Sequence, residues 1–423
     1  MKTEQAERGK REFGAVYTPE ALTEWMASLA VPPQNEPWDV LEPACANGPF
    51  LAAFTRQWGT GHRLTGVEID PLADKAFSVQ DARHLHADFL LWETPERFDF
   101  IIGNPPYGII GDASHYPIQS LAGVKEQYKS RFQTWHGKYN IYGAFIEKSV
   151  TLLKDSGQLV FVIPGTWLVL DDFCLLRKFL AERGNLDIYH IGKAFAGVAV
   201  SAVVLHFTKS QEAGRLTLFN VDKTPAHHDA HYHGDLICFH TPETDRFEQQ
   251  SKVILGDLFQ VKFAARSPEY KRRPYVFTEA APGLLPVLTG RNLHAGRIDY
   301  DTNYSGLWIA PSDAPKMREF YRTPHLVVAH TKGARVVVAV DERCYAWRED
   351  FHLIPRMAVD QKEVETYLNS APLQEYVKTL YRDLIPHLTR TQLLRLPMPT
   401  QMSATGPRPP TKPLIASLFD DVE

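Results

Sequence analysis

The chain has 423 residues, 44% hydrophobic and 23% charged, which is the composition of a folded globular protein and exceeds the usual size of one core, so two domains are expected. Four cysteines, Cys45, Cys174, Cys238 and Cys344, lie far apart with no C-x-x-C pair, which excludes a zinc site of that type and points to free thiols in a reducing compartment. The net charge of −4 is uneven: residues 241–423 hold 24 Lys+Arg against 22 Asp+Glu, leaving 22 against 28 for residues 1–240, a distribution that fits local phosphate contacts in the second half and equally fits chance.

In chain order, the opening "MKTEQAERGKREFG" has no apolar leader core, and the longest apolar run, "LVFVIPGTWLVL", is broken by Pro164 and Gly165. A cytoplasmic protein without a membrane span is expected. From Trp38 to about Thr208 strands and helices alternate. "WDVLEPACANGPFLAAF" reads as strand, tight turn and helix start, "RLTGVEID" as a second strand, "LHADFLLW" as a third and "FDFIIGNPPYG" as a fourth. Next come a helix in "NIYGAFIEKSVTLLK", a strand in "GQLVFVIP", and a helix in "DDFCLLRKFLAERG" capped by Asp171 and Asp172 and closed by Gly184. "LDIYHIG" and "SAVVLHFTK" complete a doubly wound α/β sheet. Residues 209–250 read as polar and irregular. Domains are expected over 1–240 and 241–400, the second an α+β domain ending in a helical stretch from about Gln361 to Arg395, followed by an extended tail over 401–423.

Two strand ends carry chemistry. The run Phe98 to Ile102 is apolar on both sides, as in a central parallel strand, and Asn104-Pro105-Pro106-Tyr107 follows it directly, where such sheets hold ligands. Pro105 and Pro106 have no N–H, so the turn offers carbonyl acceptors without competing donors. With the Asn104 oxygen it suits an exocyclic amino group, and Tyr107 offers a face to a planar base; the plain alternative is a proline-rich turn. Glu42, Ala44 and Gly48 lie in the turn after the first strand, and Glu68 ends the second. This turn has one glycine and an acid where a dinucleotide site has G-x-G-x-x-G. An acid repels phosphate, so the ligand suggested is a nucleoside with a neutral or cationic arm, its ribose on Glu68. S-adenosylmethionine has these features. The alternative for each acid is a surface carboxylate.

The segments "YTPEAL", "LEPACANGPFL", "GVEID", "ADFLLW", "GNPPYG" and "KYNIYGAF" resemble the gamma class of adenine-N6 DNA methyltransferases. In the second half, "FAARSPEYK", "LPVLTGRNL", "TPHLVVAHTKGARVV" and "TLYRDLIPHLT" resemble the TaqI-like members, which modify adenine in TCGA; the resemblance spans roughly Phe13 to Met398. It implies a Rossmann-like catalytic domain with a target-recognition domain. Thr18, Glu42 and Ala44 would line the cofactor pocket, Glu68 would hold the ribose, and Asp88, Phe89 and Pro106 the adenine of S-adenosylmethionine. Asn104 and the Pro105 carbonyl would bind the N6 amino group of the target, with Tyr107 and Phe195 sandwiching a base flipped out of the duplex. Arg266, Arg291, Lys332 and Arg335 would contact DNA, and Pro386 would fill the gap opposite the orphan thymine. Phe195 as a core side chain and Pro386 as a helix breaker are the structural alternatives.

The chain departs from that family in two places. Ala196-Gly197-Val198-Ala199-Val200 replaces a more basic stretch, so no phosphate contact is assigned there, and His227, His228, His231 and His233 are read as solvated rather than as a metal site. No metal is expected. The expected partner is double-stranded DNA in the nucleoid, with the protein acting as a monomer, either beside a cognate restriction endonuclease or as an orphan enzyme. In the tail, Leu418 and Phe419 need a surface to bury them, either the protein's own or the bacterial sliding clamp, whose short peptide ligands "SLF" resembles. The other functions weighed are an RNA methyltransferase, a protein-glutamine methyltransferase, against which the long second half argues, and a silent DNA-binding module, against which Glu42, Glu68 and the intact Asn104 to Tyr107 argue.

Overall fold

The computed structural model describes residues 18–30, 32, 36–74, 77–111, 117–118, 121–194 and 201–402. Phe195, residues 196–200 and the tail from 403 onward lie outside the described residues. The chain forms two compact units, Met1–Thr244 with Val377–Pro386, and Asp245–Tyr376 with His387–Glu423. The return of Val377–Pro386 to the first unit has no signature in the sequence, because the helix Ala371–Tyr381 runs through the division without a break.

The first unit is built on a nine-stranded sheet. Its strands are β1 (Asp39–Pro43), β2 (Arg63–Glu68), β3 (Arg83–His86), β4 (Phe98–Gly103), β5 (Leu153–Pro164), β6 (Gly184–Gly192), β7 (Ala202–Lys209), β8 (Leu216–Phe219) and β9 (Pro225–Asp229), in the order β9-β8-β6-β7-β5-β4-β1-β2-β3. From β3 to β5 all neighbours are parallel, while β7 runs antiparallel to both β5 and β6. Phe100 and Ile102 of β4 pack with Met26, Phe50 and Phe54 from helices α1 (Glu20–Ala27) and α2 (Pro49–Trp58). The alternate residues Leu41, Ile101 and Phe161 are as completely buried, so the central strands are covered on both faces, as parallel sheets require. Helix α3 (Tyr142–Leu152) packs beside β5, and helix α4 (Cys174–Ala181) beside β6.

Three local expectations are corrected. The third strand stops at His86, because the Asp88 carboxylate accepts the Leu90 N–H at 2.9 Å and turns the chain through "DFLLW". Asp171 and Asp172 form a short 3₁₀ turn instead of a cap: Asp172 Oδ1 accepts the Lys138 N–H at 3.1 Å, the helix ends at Ala181, and Gly184 opens β6. Residues 209–250 are not merely irregular, since β8 and β9 extend the sheet, β8 pairing parallel to β6.

The second unit is α+β. An antiparallel sheet of Phe259–Phe263, Phe351–Pro355, His325–Val328 and Val338–Asp341 is joined by two-residue strands and by the helices Gln361–Leu368 and Arg390–Leu394. Its core centres on buried Trp347, whose carbonyl accepts the hydroxyls of Tyr270 at 2.7 Å and Tyr321 at 3.0 Å. All four cysteines are free thiols, and among the described residues no helix is long and apolar enough to cross a membrane.

Candidate active site

Four neighbouring strands, β4, β1, β2 and β3, present their carboxyl ends in a row, and Asn104, Glu42, Glu68 and Asp88 stand at or just after those ends. After β1 the chain makes a turn with three residues in the left-handed region, Ala44 (φ 55°), Ala46 (φ 45°) and Gly48 (φ 80°). At Gly48 a Cβ would lie 2.5 Å from Val79 Cγ2 and 2.9 Å from Phe77 Cε2, so the turn tolerates only glycine there.

Glu42 is 1% exposed and Glu68 6%, so neither is a surface carboxylate. The Glu42 oxygens accept the N–H groups of Leu51 at 2.9 Å and Phe50 at 3.4 Å, satisfying donors in the first turn of α2 that have no partner within the helix. Glu68 Oε2 accepts Ala46 N–H at 2.7 Å, and Oε1 accepts those of Ile69 at 2.9 Å and Asp70 at 2.7 Å, so one carboxylate joins the first turn to the end of β2. Burial pushes the Glu42 carboxyl well above the usual carboxylate range, against its N–H bonds and with the charge of Glu68 adding to the rise. Burial also raises Glu68, its three N–H bonds opposing the rise. Asp88 is engaged through Oδ1 by the Leu90 N–H and through Oδ2 by the Tyr128 hydroxyl at 2.6 Å, and Phe89 packs on Phe145 with ring centres 5.1 Å apart.

On the other side, Asn104 Nδ2 donates to Thr18 Oγ1 at 2.9 Å, which fixes the orientation of the amide. Pro105 is buried and Pro106 half-buried. The Tyr107 hydroxyl donates to the Val162 carbonyl of β5 at 2.9 Å, and its ring meets Tyr142 edge-on, centres 6.2 Å apart. Tyr142 in turn stacks on Phe173 at 5.2 Å, with its hydroxyl 3.2 Å from Thr166 Oγ1. The next residue is also held, Gly108 N–H donating to Asn140 Oδ1 at 2.9 Å. Asn140 and Tyr142 lie in "KYNIYGAF" with no role assigned from sequence, and Tyr128, Thr166 and Phe173 were not foreseen; a carboxamide directly before a helix start is the one local signal.

Of the residues expected at DNA, Arg266, Arg291 and Arg335 are exposed and Lys332 is half-exposed in the second unit, while exposed Pro386 belongs to the first. The Arg266 guanidinium lies over the Phe263 ring, 5.7 Å from its centre. The described histidines do not stand apart as a free loop: His227 and His228 are part of β9, and His227, His231 and His233 line a cavity of about 350 Å³ with Asp229 and Asp235.

The donor set fits S-adenosylmethionine. Its buried acids suit ribose hydroxyls and a cationic amino-acid arm, and the first turn has no glycine-rich pyrophosphate cradle. With β7 reversed beside β5 in an otherwise parallel half, the sheet and this acidic crevice define a class I methyltransferase that takes its methyl group from S-adenosylmethionine.

Residues 62–195 match the family described as Eco57I restriction-modification methylase, and residues 285–398 the TaqI-like C-terminal specificity domain. A type II methyltransferase of Thermus thermophilus is 53% identical over 397 residues, covering 92% of this chain and 91% of that protein. The modification methylase CviBIII of Paramecium bursaria Chlorella virus NC1A is 27% identical over 236 residues, 54% of this chain and 58% of that protein. Among solved structures, the type IIL restriction-modification enzyme MmeI in complex with DNA shares the fold, with a TM-score of 0.55 at 12% identity over 92% of this chain and 67% of that one. The chain belongs to the family of type II DNA methyltransferases of restriction-modification systems.

Proposed function

We propose that the protein methylates the N6 amino group of adenine in TCGA, on a base flipped out of double-stranded DNA. The observation that carries this reading is the Asn104-Pro105-Pro106-Tyr107 turn at the end of β4, its amide oriented by Thr18 and its phenol pinned to Val162. The N6 lone pair of adenine is delocalised into the ring and is a weak nucleophile. Two acceptors, Asn104 Oδ1 and the Pro105 carbonyl, draw its hydrogens towards tetrahedral geometry, localise the lone pair and aim it, so the site acts by positioning and electrostatics without a strong base. S-adenosylmethionine supplies an electrophilic methyl on sulfur. Glu68 would hold its ribose, Asp88, Phe89 and Pro106 its adenine, and Thr18, Glu42 and Ala44 the rest of the pocket. Tyr107 and Phe195 would stack on the target base, a function suited to Tyr107 because its hydroxyl is already bonded away from the ring faces.

Arg266, Arg291, Lys332 and Arg335 are assigned to DNA contact and Pro386 to the space opposite the orphan thymine. The TCGA target is supported by the TaqI-like segments of the second half. In this reading the enzyme is a monomer acting on nucleoid DNA, either beside a cognate endonuclease or as an orphan enzyme, and Leu418 and Phe419 of its tail bury on the protein's own surface, the sliding clamp being the alternative. Sequencing of methylated bases in DNA treated with the purified protein tests the reading: N6-methyladenine in TCGA is expected, and methylation at another base or motif refutes it.

A further inference from the structure

The carboxyl end of β5 gathers more than the target-side turn. Val162 accepts the Tyr107 hydroxyl and Thr166 meets that of Tyr142, while between them the Gly165 N–H donates to the carbonyl of Ser201 at 2.9 Å. Ser201 is completely buried at the start of β7, and among the described residues its remaining hydrogen bonds go to one residue of the returning segment, Asp383. Its N–H donates to the Asp383 carbonyl at 3.2 Å, and its hydroxyl to the Asp383 carboxylate. The other carboxylate oxygen lies 2.9 Å from Nε2 of buried His190, in β6.

The flanking residues fix the same segment. Leu384 fills the space above Gly165, where a Cβ would lie 2.4 Å from Leu384 Cδ2. Arg382, in the left-handed region at φ 48°, lies over the Phe239 ring at 3.7 Å and donates to Asn220 Oδ1 at 2.8 Å. Together they tie Pro386, three residues past Asp383, to the strand end that holds Tyr107 and Tyr142.

We propose that Asp383 is a positioning residue for methyl transfer: through Ser201 and His190 it registers the segment bearing Pro386 against the strand end that supports the target-base pocket. The proposal rests on the functional reading above, in which Pro386 occupies the space opposite the orphan thymine. It implies that duplex opening, rather than cofactor binding or the chemical step, depends on Asp383.

The test compares single-turnover methylation of a TCGA duplex with that of the same duplex carrying an abasic site opposite the target adenine, where there is no orphan thymine. Asp383→Ala is expected to slow methylation of the paired duplex by about ten-fold or more and of the abasic duplex by less than about three-fold, in keeping with the cost of misplacing a positioning element, with S-adenosylmethionine binding by calorimetry unchanged. Asp383→Asn keeps the volume and one acceptor, covers the case in which the alanine variant does not fold, and should show the same selective loss at smaller size. Equal losses on the two duplexes, or none, overturn the proposal. A wild-type protein that methylates neither duplex overturns the functional reading, and the proposal with it.

Discussion

Asp350, at the entrance to the strand Phe351–Pro355, is 2% exposed. Its Oδ1 accepts the His330 N–H at 3.1 Å, and its Oδ2 has no hydrogen-bond partner among the described residues. Burial pushes its pKa up to about 7 against the attraction of Lys332 and Arg348. In the unfolded chain the same carboxyl ionises near 3.8, so between the two values the unfolded state has released a proton that the native state keeps. Stability therefore falls as pH rises through this window, and the loss is complete above pH 7. About three units at 1.36 kcal/mol each give a loss of about 4 kcal/mol between pH 4 and 8, of which about 2–3 kcal/mol falls between pH 5 and 7. Asp350→Asn imitates the neutral acid and does not titrate. Urea unfolding of both proteins at pH 5, 6, 7 and 8 should show the variant gaining on the wild type by about 2–3 kcal/mol across the series. A constant difference from pH 5 to 8 would refute the assignment of a buried, proton-retaining carboxyl.

Asn104→Ala should lower kcat by about 10²–10³-fold while leaving S-adenosylmethionine binding intact, because it removes an acceptor used at the transition state; near-normal turnover would sink the N6 assignment. Tyr107→Phe removes the bond to Val162 and should cost about 1 kcal/mol of stability with base capture retained. Tyr107→Ala should weaken capture of the flipped base by about 1–3 kcal/mol, read by fluorescence of 2-aminopurine at the target position, and equal signals from the two variants would count against stacking. Gly48→Ala forces a side chain onto Val79 at a left-handed position and should destabilise the protein by about 1–3 kcal/mol and weaken S-adenosylmethionine binding, measured by thermal unfolding and calorimetry; unchanged values would show that the turn yields easily.

What the sequence made legible was whatever is written in consecutive residues. Phe98 to Ile102 announces a strand buried on both faces, and the residue order around it places Glu42, Glu68 and Asn104 at the ends of neighbouring strands, as the sheet has them. Asp88 was picked out as well, but the turn it makes was not, because "LHADFLLW" has the apolar content of a strand and the bonds from Leu90, Leu91 and Trp92 back to Asp88 end it. β9 is an edge strand with the polar sequence "PAHHD", which carries no burial signal. Asp172 looked like a cap until Lys138 supplied a donor that sequence distance conceals. The supports of the site, Tyr128 for Asp88 and Tyr142 with Thr166 beside Tyr107, depend on partners brought together only by the folded sheet.

The return of Val377–Pro386 to the first unit bears on the making of chimaeras. Type II methyltransferases invite the exchange of recognition modules, and a graft joined near residue 245 would look clean by length and by the order of the units. It would also import a foreign strip of ten residues built to fit another enzyme's Ser201, His190, Gly165 and Asn220. A hybrid that keeps residues 377–386 from the catalytic parent and takes only the flanking stretches from the donor preserves those fits, so the seam that matters for exchanging specificity runs through the helix Ala371–Tyr381 and again at Pro386.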